Sequence, residues 1–255
     1  MKRTVLLFFI LSFLCGEMQL GAQQLWRQRR FEAVAGFGPS FFFGDVGGFS
    51  HGENILGFKD LTFLQTRYNV NASFKYRLTN DLNVRLSLSQ AMLKATDTRG
   101  SNENRSYESK INIFEPALIG EFYFIKNKNE SSWRFARGKR LFRSIMSSID
   151  VYTFTGFGGA AYSVNSNDLL QNKNLKKSGF TPVIPIGVGA NLIYSADLDF
   201  GVEVGGRYSF SDYIDGYTSQ FSSSNDVYYF LDFTVTYKMR TNRKGWPVIF
   251  NNRRF

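Results

Sequence analysis

From residue 31 onward the chain alternates apolar and polar positions with a period of two, in segments of about ten residues. The clearest is Arg67–Leu78. Tyr68, Val70, Ala72, Phe74, Tyr76 and Leu78 share one face, and Arg67, Asn69, Asn71, Ser73, Lys75 and Arg77 the other. After the short turn 79–81 the pattern repeats over Leu82–Ala91, with Leu82, Val84, Leu86 and Leu88 opposite Asn83, Arg85, Ser87 and Ser89. Six further segments carry weaker forms of it: Phe31–Phe43, Ile113–Phe124, Val151–Ser163, Val183–Tyr194, Phe200–Phe210 and Val227–Lys238. In Val151–Ser163 and Val183–Tyr194 glycines blur the two faces.

Segments this long exceed the usual globular strand of ~5–6 residues and match a tilted strand that crosses a membrane. The pattern predicts an all-β fold, an eight-stranded antiparallel up-and-down transmembrane β-barrel of the bacterial outer membrane. A soluble eight-stranded barrel would need the opposite polarity, apolar inside and polar outside. Composition agrees with β structure: 27 Phe, 13 Tyr and 23 Gly among 255 residues, 43% of them hydrophobic. Tyr68, Tyr76, Tyr208, Tyr229 and Tyr237 near strand ends suit interfacial girdles.

Residues 1–22 read as a secretory signal: Lys2 and Arg3, then the apolar run Val5–Leu14, then small Ala22 before a cleavage point. Bulky Leu14 in front of Cys15 argues against a lipoprotein signal. Export makes nucleic acid an unsuitable partner for the net charge of +10. The expected organisation is a signal at 1–22, a periplasmic stub at 23–30, the barrel at 31–239 with an insertion at 125–150, and a basic periplasmic tail at 240–255.

The polar faces turn Glu32, Glu115, Glu121, Glu203 and Asp232 inward together with Arg67, Lys75, Arg77, Arg85, Arg207 and Lys238. Charges away from water persist when they are paired, so these residues are expected to form a network in a filled lumen. A proton or ion path is the sharper alternative. Barrels of this class keep short turns and both termini in the periplasm and longer loops outside. Loops 44–62, 92–110, 164–180 and 211–226 are then external, and 125–150 is an unusually long periplasmic connection. That connection holds Lys126, Lys128, Arg134, Arg137, Lys139, Arg140 and Arg143 against Glu130. Arg240, Arg243, Lys244, Arg253 and Arg254 extend the basic surface in the tail. Trp133, Phe135, Leu141, Phe142, Ile145 and Met146 punctuate the insertion, as in a short amphipathic helix. It suits either anionic head groups of outer-membrane lipid or a periplasmic protein of complementary charge. Its length, well beyond an ordinary turn, points toward docking.

Chemistry of other kinds finds little support. The single His51 lies beside Ser50 and near Asp45 and Glu53, but adjacency in a glycine-rich loop does not build a triad. One His and one Cys make a poor metal site. The glycines of 36–48 lack the Lys-Ser/Thr of a phosphate loop. No enzyme, cofactor or metal is expected.

Phe37-Gly38-Pro39-Ser40-Phe41-Phe42-Phe43-Gly44-Asp45-Val46-Gly47-Gly48 resembles the opening of the PorG-like outer-membrane proteins, small barrels of the type IX secretion system. Ile113–Phe124, Tyr152–Gly159, Ile184–Asn191 and Arg207-Tyr208-Ser209-Phe210-Ser211-Asp212-Tyr213-Ile214-Asp215 carry the resemblance through the chain. It implies a non-enzymatic outer-membrane component that associates with a periplasmic ring of a PorK lipoprotein and PorN, and that cargo export requires. Two other readings remain open: a generic OmpA-like or OmpW-like barrel that stiffens the membrane or passes small ligands, and a lipid-modifying enzyme dependent on His51.

Overall fold

The computed structural model describes residues 29–44, 46, 65–97, 106–127, 148–171, 176–217, 225–242 and 246–248. Eight strands follow one another: β1 (Phe31–Phe43), β2 (Arg67–Arg77), β3 (Leu82–Thr96), β4 (Glu108–Ile125), β5 (Ile149–Ser166), β6 (Ser178–Ile193), β7 (Leu198–Ser209) and β8 (Val227–Met239). A single-turn helix, α1 (Asp168–Gln171), lies between β5 and β6. Each strand pairs antiparallel with its neighbours, and β1 pairs with β8 from Phe31↔Met239 to Phe43↔Val227, closing the barrel without a free edge.

The polarity is that of a membrane barrel. Phe37, Leu118 and Ile186 stand outward at 65%, 58% and 58% exposure, while Glu32, Lys75, Glu121 and Lys238 in the lumen are at most 2% exposed. In water that exterior would cost heavily; in hydrocarbon it is the stable arrangement, because the closed ladder satisfies every spanning backbone group. An inverted closed barrel of eight strands is of the outer-membrane type. Both short turns, 78–81 and 194–197, open at the end of the barrel where the chain enters at Arg30 and leaves at Arg240, called here the terminal end. Arg77 N–H donates to Arg30 O at 2.8 Å there, and Ser195 N–H to Leu198 O at 2.9 Å.

All eight expected strands are present, with β1 bounded as the alternation predicts. At the opposite, loop end the expected boundaries need correction. β3, β4, β5 and β6 run for 15, 18, 18 and 16 residues, so 92–96, 108–110, 164–166 and 178–180 are strand rather than loop. Along these extensions the polarity reverses. Ala91, Leu93, Ala95, Ile111, Ile113, Tyr162 and Val183 are buried inside, and Gln90, Lys110, Asn112, Ser163 and Asn165 are exposed outside. Beyond the apolar belt the exterior meets water, so the wall takes the polarity of a soluble barrel. This reversal is why the inside-out pattern runs out near Ala91.

The loop end is closed by its own core. Val46, Tyr107, Leu170 and Ile214, one from each connection at that end, pack with Phe42, Tyr228 and Phe230 in a single buried cluster. Asp215 holds these connections together. It accepts from Val46 N–H at 3.0 Å and Tyr217 N–H at 2.9 Å, and its carbonyl takes the Ser109 hydroxyl at 2.8 Å. Asp226 accepts from Ile214 N–H at 2.8 Å.

Candidate functional site

Below the apolar cap the lumen is filled by ion pairs, some between neighbouring strands and some crossing from wall to wall. Arg85 on β3 donates from both Nη atoms to the Glu203 carboxylate on β7, at 2.7 and 2.8 Å, and its Nη1 also lies 3.2 Å from Glu121. Lys75 reaches Glu121 at 2.9 Å, Arg77 reaches Glu32 at 2.7 Å, and Lys238 reaches Asp199 at 2.7 Å. Closer to the cap, Arg207 Nε lies 3.5 Å from Glu115, which also accepts the Tyr228 hydroxyl. Asp232 is buried opposite Glu203 in the β7–β8 register.

Aromatic rings fill the remaining section. Tyr152 and Phe154 point inward from β5, and Tyr123 joins them from β4. The Tyr152 hydroxyl donates to Glu203 at 2.6 Å, and Tyr123 to Glu121 at 3.1 Å. Arg85 lies 5.1 Å from the Phe154 ring centre and Arg207 4.0 Å from that of Phe230, so the cations are held by rings as well as carboxylates. The glycines of β6 and β7 make room for these rings. A Cβ on Gly205 would stand 2.7 Å from Phe154 Cζ, and one on Gly189 would collide with the Tyr152 ring. A lumen crossed by a bidentate pair and filled by further ion pairs and rings, beneath an apolar cap, is built as a strut rather than a passage.

Of the residues expected in this network, Glu32, Lys75, Arg77, Arg85, Glu115, Glu121, Glu203, Arg207, Asp232 and Lys238 are all buried in the lumen. Arg67 stands apart. It is half-buried at the loop end of β2 and donates to Thr66 O at 2.7 Å. Sequence reasoning missed Asp150, Asp199, Tyr123, Tyr152 and Tyr228. Asp199 shares the parity of Glu203 and Arg207, and Asp150 that of Tyr152, so moving each strand start by one residue would have found both acids.

Asp150 sits where the basic insertion leaves and rejoins the barrel. Its Oδ1 accepts Asn127 N–H at 2.7 Å, and its Oδ2 pairs with Lys126 at 2.9 Å. Ser148 O accepts Ile193 N–H at 2.9 Å. The two ends of the insertion are therefore tied at the mouth by one carboxylate. Burial pushes the Lys126 ammonium below its usual range, Arg77 adds to that push, and Asp150 opposes it. Arg134, Arg137, Lys139, Arg140 and Arg143 lie outside the described residues, as do Arg243, Lys244, Arg253, Arg254, His51 and the signal segment. Arg240 is described: it is exposed and lies 3.4 Å from Asp197. Among the described residues no group of His, Cys, Asp and Glu could hold a metal.

No protein-family model matches the chain, and no curated protein matches its sequence. Solved structures of similar fold include Neisserial surface protein A, at 12% identity over 82% of this chain and 96% of that one, with a TM-score of 0.47. A major outer-membrane protein from Thermus thermophilus is 13% identical over 81% and 98%, with a TM-score of 0.43. The E. coli outer membrane protein W is 15% identical over 82% and 97%, with a TM-score of 0.39.

Proposed function

We propose that this barrel is a non-enzymatic outer-membrane component of a type IX protein secretion system, anchoring a periplasmic ring of a PorK-like lipoprotein and a PorN-like protein. The observation that carries the reading is the tie at Asp150. A filled, capped barrel holds both ends of a long basic insertion at one point of its mouth, a rigid support that suits a docking role for the segment between them. With both termini and short turns in the periplasm, Arg134, Arg137, Lys139, Arg140 and Arg143, joined by the tail bases Arg240, Arg243, Lys244, Arg253 and Arg254, face the ring. Opposite charge on the ring would steer and register the contact. The partners' names follow from the resemblance of Phe37–Gly48 and Arg207–Asp215 to the PorG-like family.

A photo-cross-linking amino acid at position 137, activated in intact envelopes, tests the proposal. Recovery of the ring lipoprotein or its partner is the expected result. Labelling of phospholipid alone would leave a generic OmpA-like or OmpW-like barrel as the better reading, although the cap and the crossed lumen argue against passage of small ligands.

A further inference from the structure

The outer wall carries an apolar groove of about 630 Å³ that spans β1, β8, β7 and β6 and reaches Ile149 at the start of β5. Its floor includes the small residues Ala35 and Ala190, and Phe37, Phe200, Phe233 and Leu192 stand along it. Phe37, Phe200 and Phe233 are 65%, 42% and 50% exposed, so the groove opens outward at membrane depth. It runs toward the terminal end, where the turn carrying Asp197 begins about 10 Å along the chain from Phe200. There one carboxylate serves two guanidinium groups: Asp197 lies 3.0 Å from Arg29 and 3.4 Å from Arg240. Arg240 is 60% exposed, and a single acid leaves cationic donors to spare. The tail folds back beside it, with Val248 N–H donating to Arg240 O at 2.8 Å and Asn242 N–H to Trp246 O at 2.9 Å. That fold displays Trp246 at 69% exposure, as residues at a membrane–water interface are displayed.

We infer that this groove and the Arg29/Arg240 pair form a binding site for one anionic glycerophospholipid, an acyl chain lying along the groove and the phosphate on the two arginines. Three features select this occupant. The groove is apolar throughout its outward face, which suits an acyl chain. Guanidinium groups pair with phosphate through parallel hydrogen bonds. Exposed Trp246, a residue type favoured at the head-group level, stands in the tail turn beside Arg240. The leaflet is the one at the terminal end, which is the glycerophospholipid leaflet under the orientation proposed above. The binding itself is independent of the secretion partner, and cross-linking at position 137 tests that partner separately.

The test uses the full chain purified in dodecyl maltoside, titrated with phosphatidylglycerol, phosphatidylcholine or lipid A, and read by native mass spectrometry. One phosphatidylglycerol should be retained in preference to the other two. Arg29→Gln and Arg240→Gln should each weaken its retention about fivefold. Ala190→Trp, which fills the groove from a lipid-facing position, should abolish it while heat-dependent gel mobility is kept. Equal retention of phosphatidylglycerol and phosphatidylcholine overturns the site, as does preference for lipid A or unchanged retention in Ala190→Trp. A lipid-free species of twice the chain mass would give the groove to a second copy and also overturn it. Should Ala190→Trp fail to fold, the two arginine variants decide alone: unchanged retention in both rejects the site.

Discussion

The Val46 amide donates to Asp215 Oδ2 at 3.0 Å, joining the first and last connections of the loop end across 169 positions of chain. Val46 lies within Phe37–Gly48 and Asp215 within Arg207–Asp215, two of the segments that carry the family resemblance. The contact gives those segments a structural task, pinning the cap over the lumen. Asp215→Ala would leave the amides of Val46 and Tyr217 without their carboxylate. Each buried unsatisfied group costs about 1–3 kcal/mol. Hydrogen exchange at Val46 and Ile214 should quicken by at least tenfold, while the β7–β8 amides at the membrane belt keep their protection. Unchanged exchange at Val46 would show that the apolar cluster alone holds the cap.

Arg85 and Glu203 should be the costliest pair to break. Removing one partner of a buried pair strands the other, at about 3–5 kcal/mol, whereas replacing both with apolar groups of similar size is often close to neutral. Arg85→Met should therefore lower stability sharply, and Arg85→Met with Glu203→Leu should recover most of the loss. Urea titration in lipid vesicles, followed by gel mobility of unheated samples, measures both. A double variant as weak as the single one would mean that Glu121 and Tyr152 need the charge.

How much of this was legible in the sequence depended on what each face had to meet. β1, β2 and β8 could be bounded closely because below the cap their lumen positions are mostly polar or small and their lipid faces apolar; Phe42, Tyr228 and Phe230 turn inward only beneath the cap. β5 could not be faced, since its lumen side carries Tyr152 and Phe154, residues that look like lipid-facing ones. The signal lay one and two strands away, in glycines such as Gly189 on β6 and Gly205 on β7 that share the inward parity of their strands. The loop-end extensions were lost because the solvent outside the wall changes there, and with it the polarity rule. The mouth at Asp150 depends on chain closure at the ends of β4 and β5, which local pattern does not encode.

That glycine–ring fit is itself testable. Gly205→Leu would force a branched side chain into the Phe154 ring, and overpacking of this kind costs about 1–3 kcal/mol or more. Gly120→Ala is the control, because its added Cβ meets nothing nearer than Thr155 O at 3.8 Å. The expected outcome is a clear loss of unfolding midpoint for Gly205→Leu and none for Gly120→Ala. Equal tolerance would mean that Phe154 can leave the lumen axis.

The two faces of the clean hairpin should differ in their response to charge. Leu86 and Val70 are 55% and 53% exposed to lipid, while Ser87 and Asn71 face the lumen. A lipid-facing Arg or Lys at the midplane costs about 2–4 kcal/mol and an Asp less. Leu86→Asp and Val70→Asp should reduce insertion and heat-dependent mobility more than Ser87→Asp and Asn71→Asp. Equal effects would contradict the facing of β2 and β3.

The basic insertion separates a structural support from its function. Replacing 128–147 with an Asn-Gly turn keeps Lys126, Asn127, Ser148 and Asp150, the groups that tie β4 to β5 at the mouth. The barrel should therefore close and insert, with unheated mobility like that of the parent. The segment that carries Arg134, Arg137, Lys139, Arg140 and Arg143 is gone, so on the proposed function recovery of ring proteins and export of cargo should both be lost. Neutralising Arg137, Lys139, Arg140 and Arg143 together should weaken partner recovery in a salt-dependent way, because exposed charges are screened over about 8 Å at physiological ionic strength. His51→Ala should alter neither recovery nor export. Normal export by the shortened chain, with its barrel intact, would reduce the insertion to a lipid contact and remove the basis for docking.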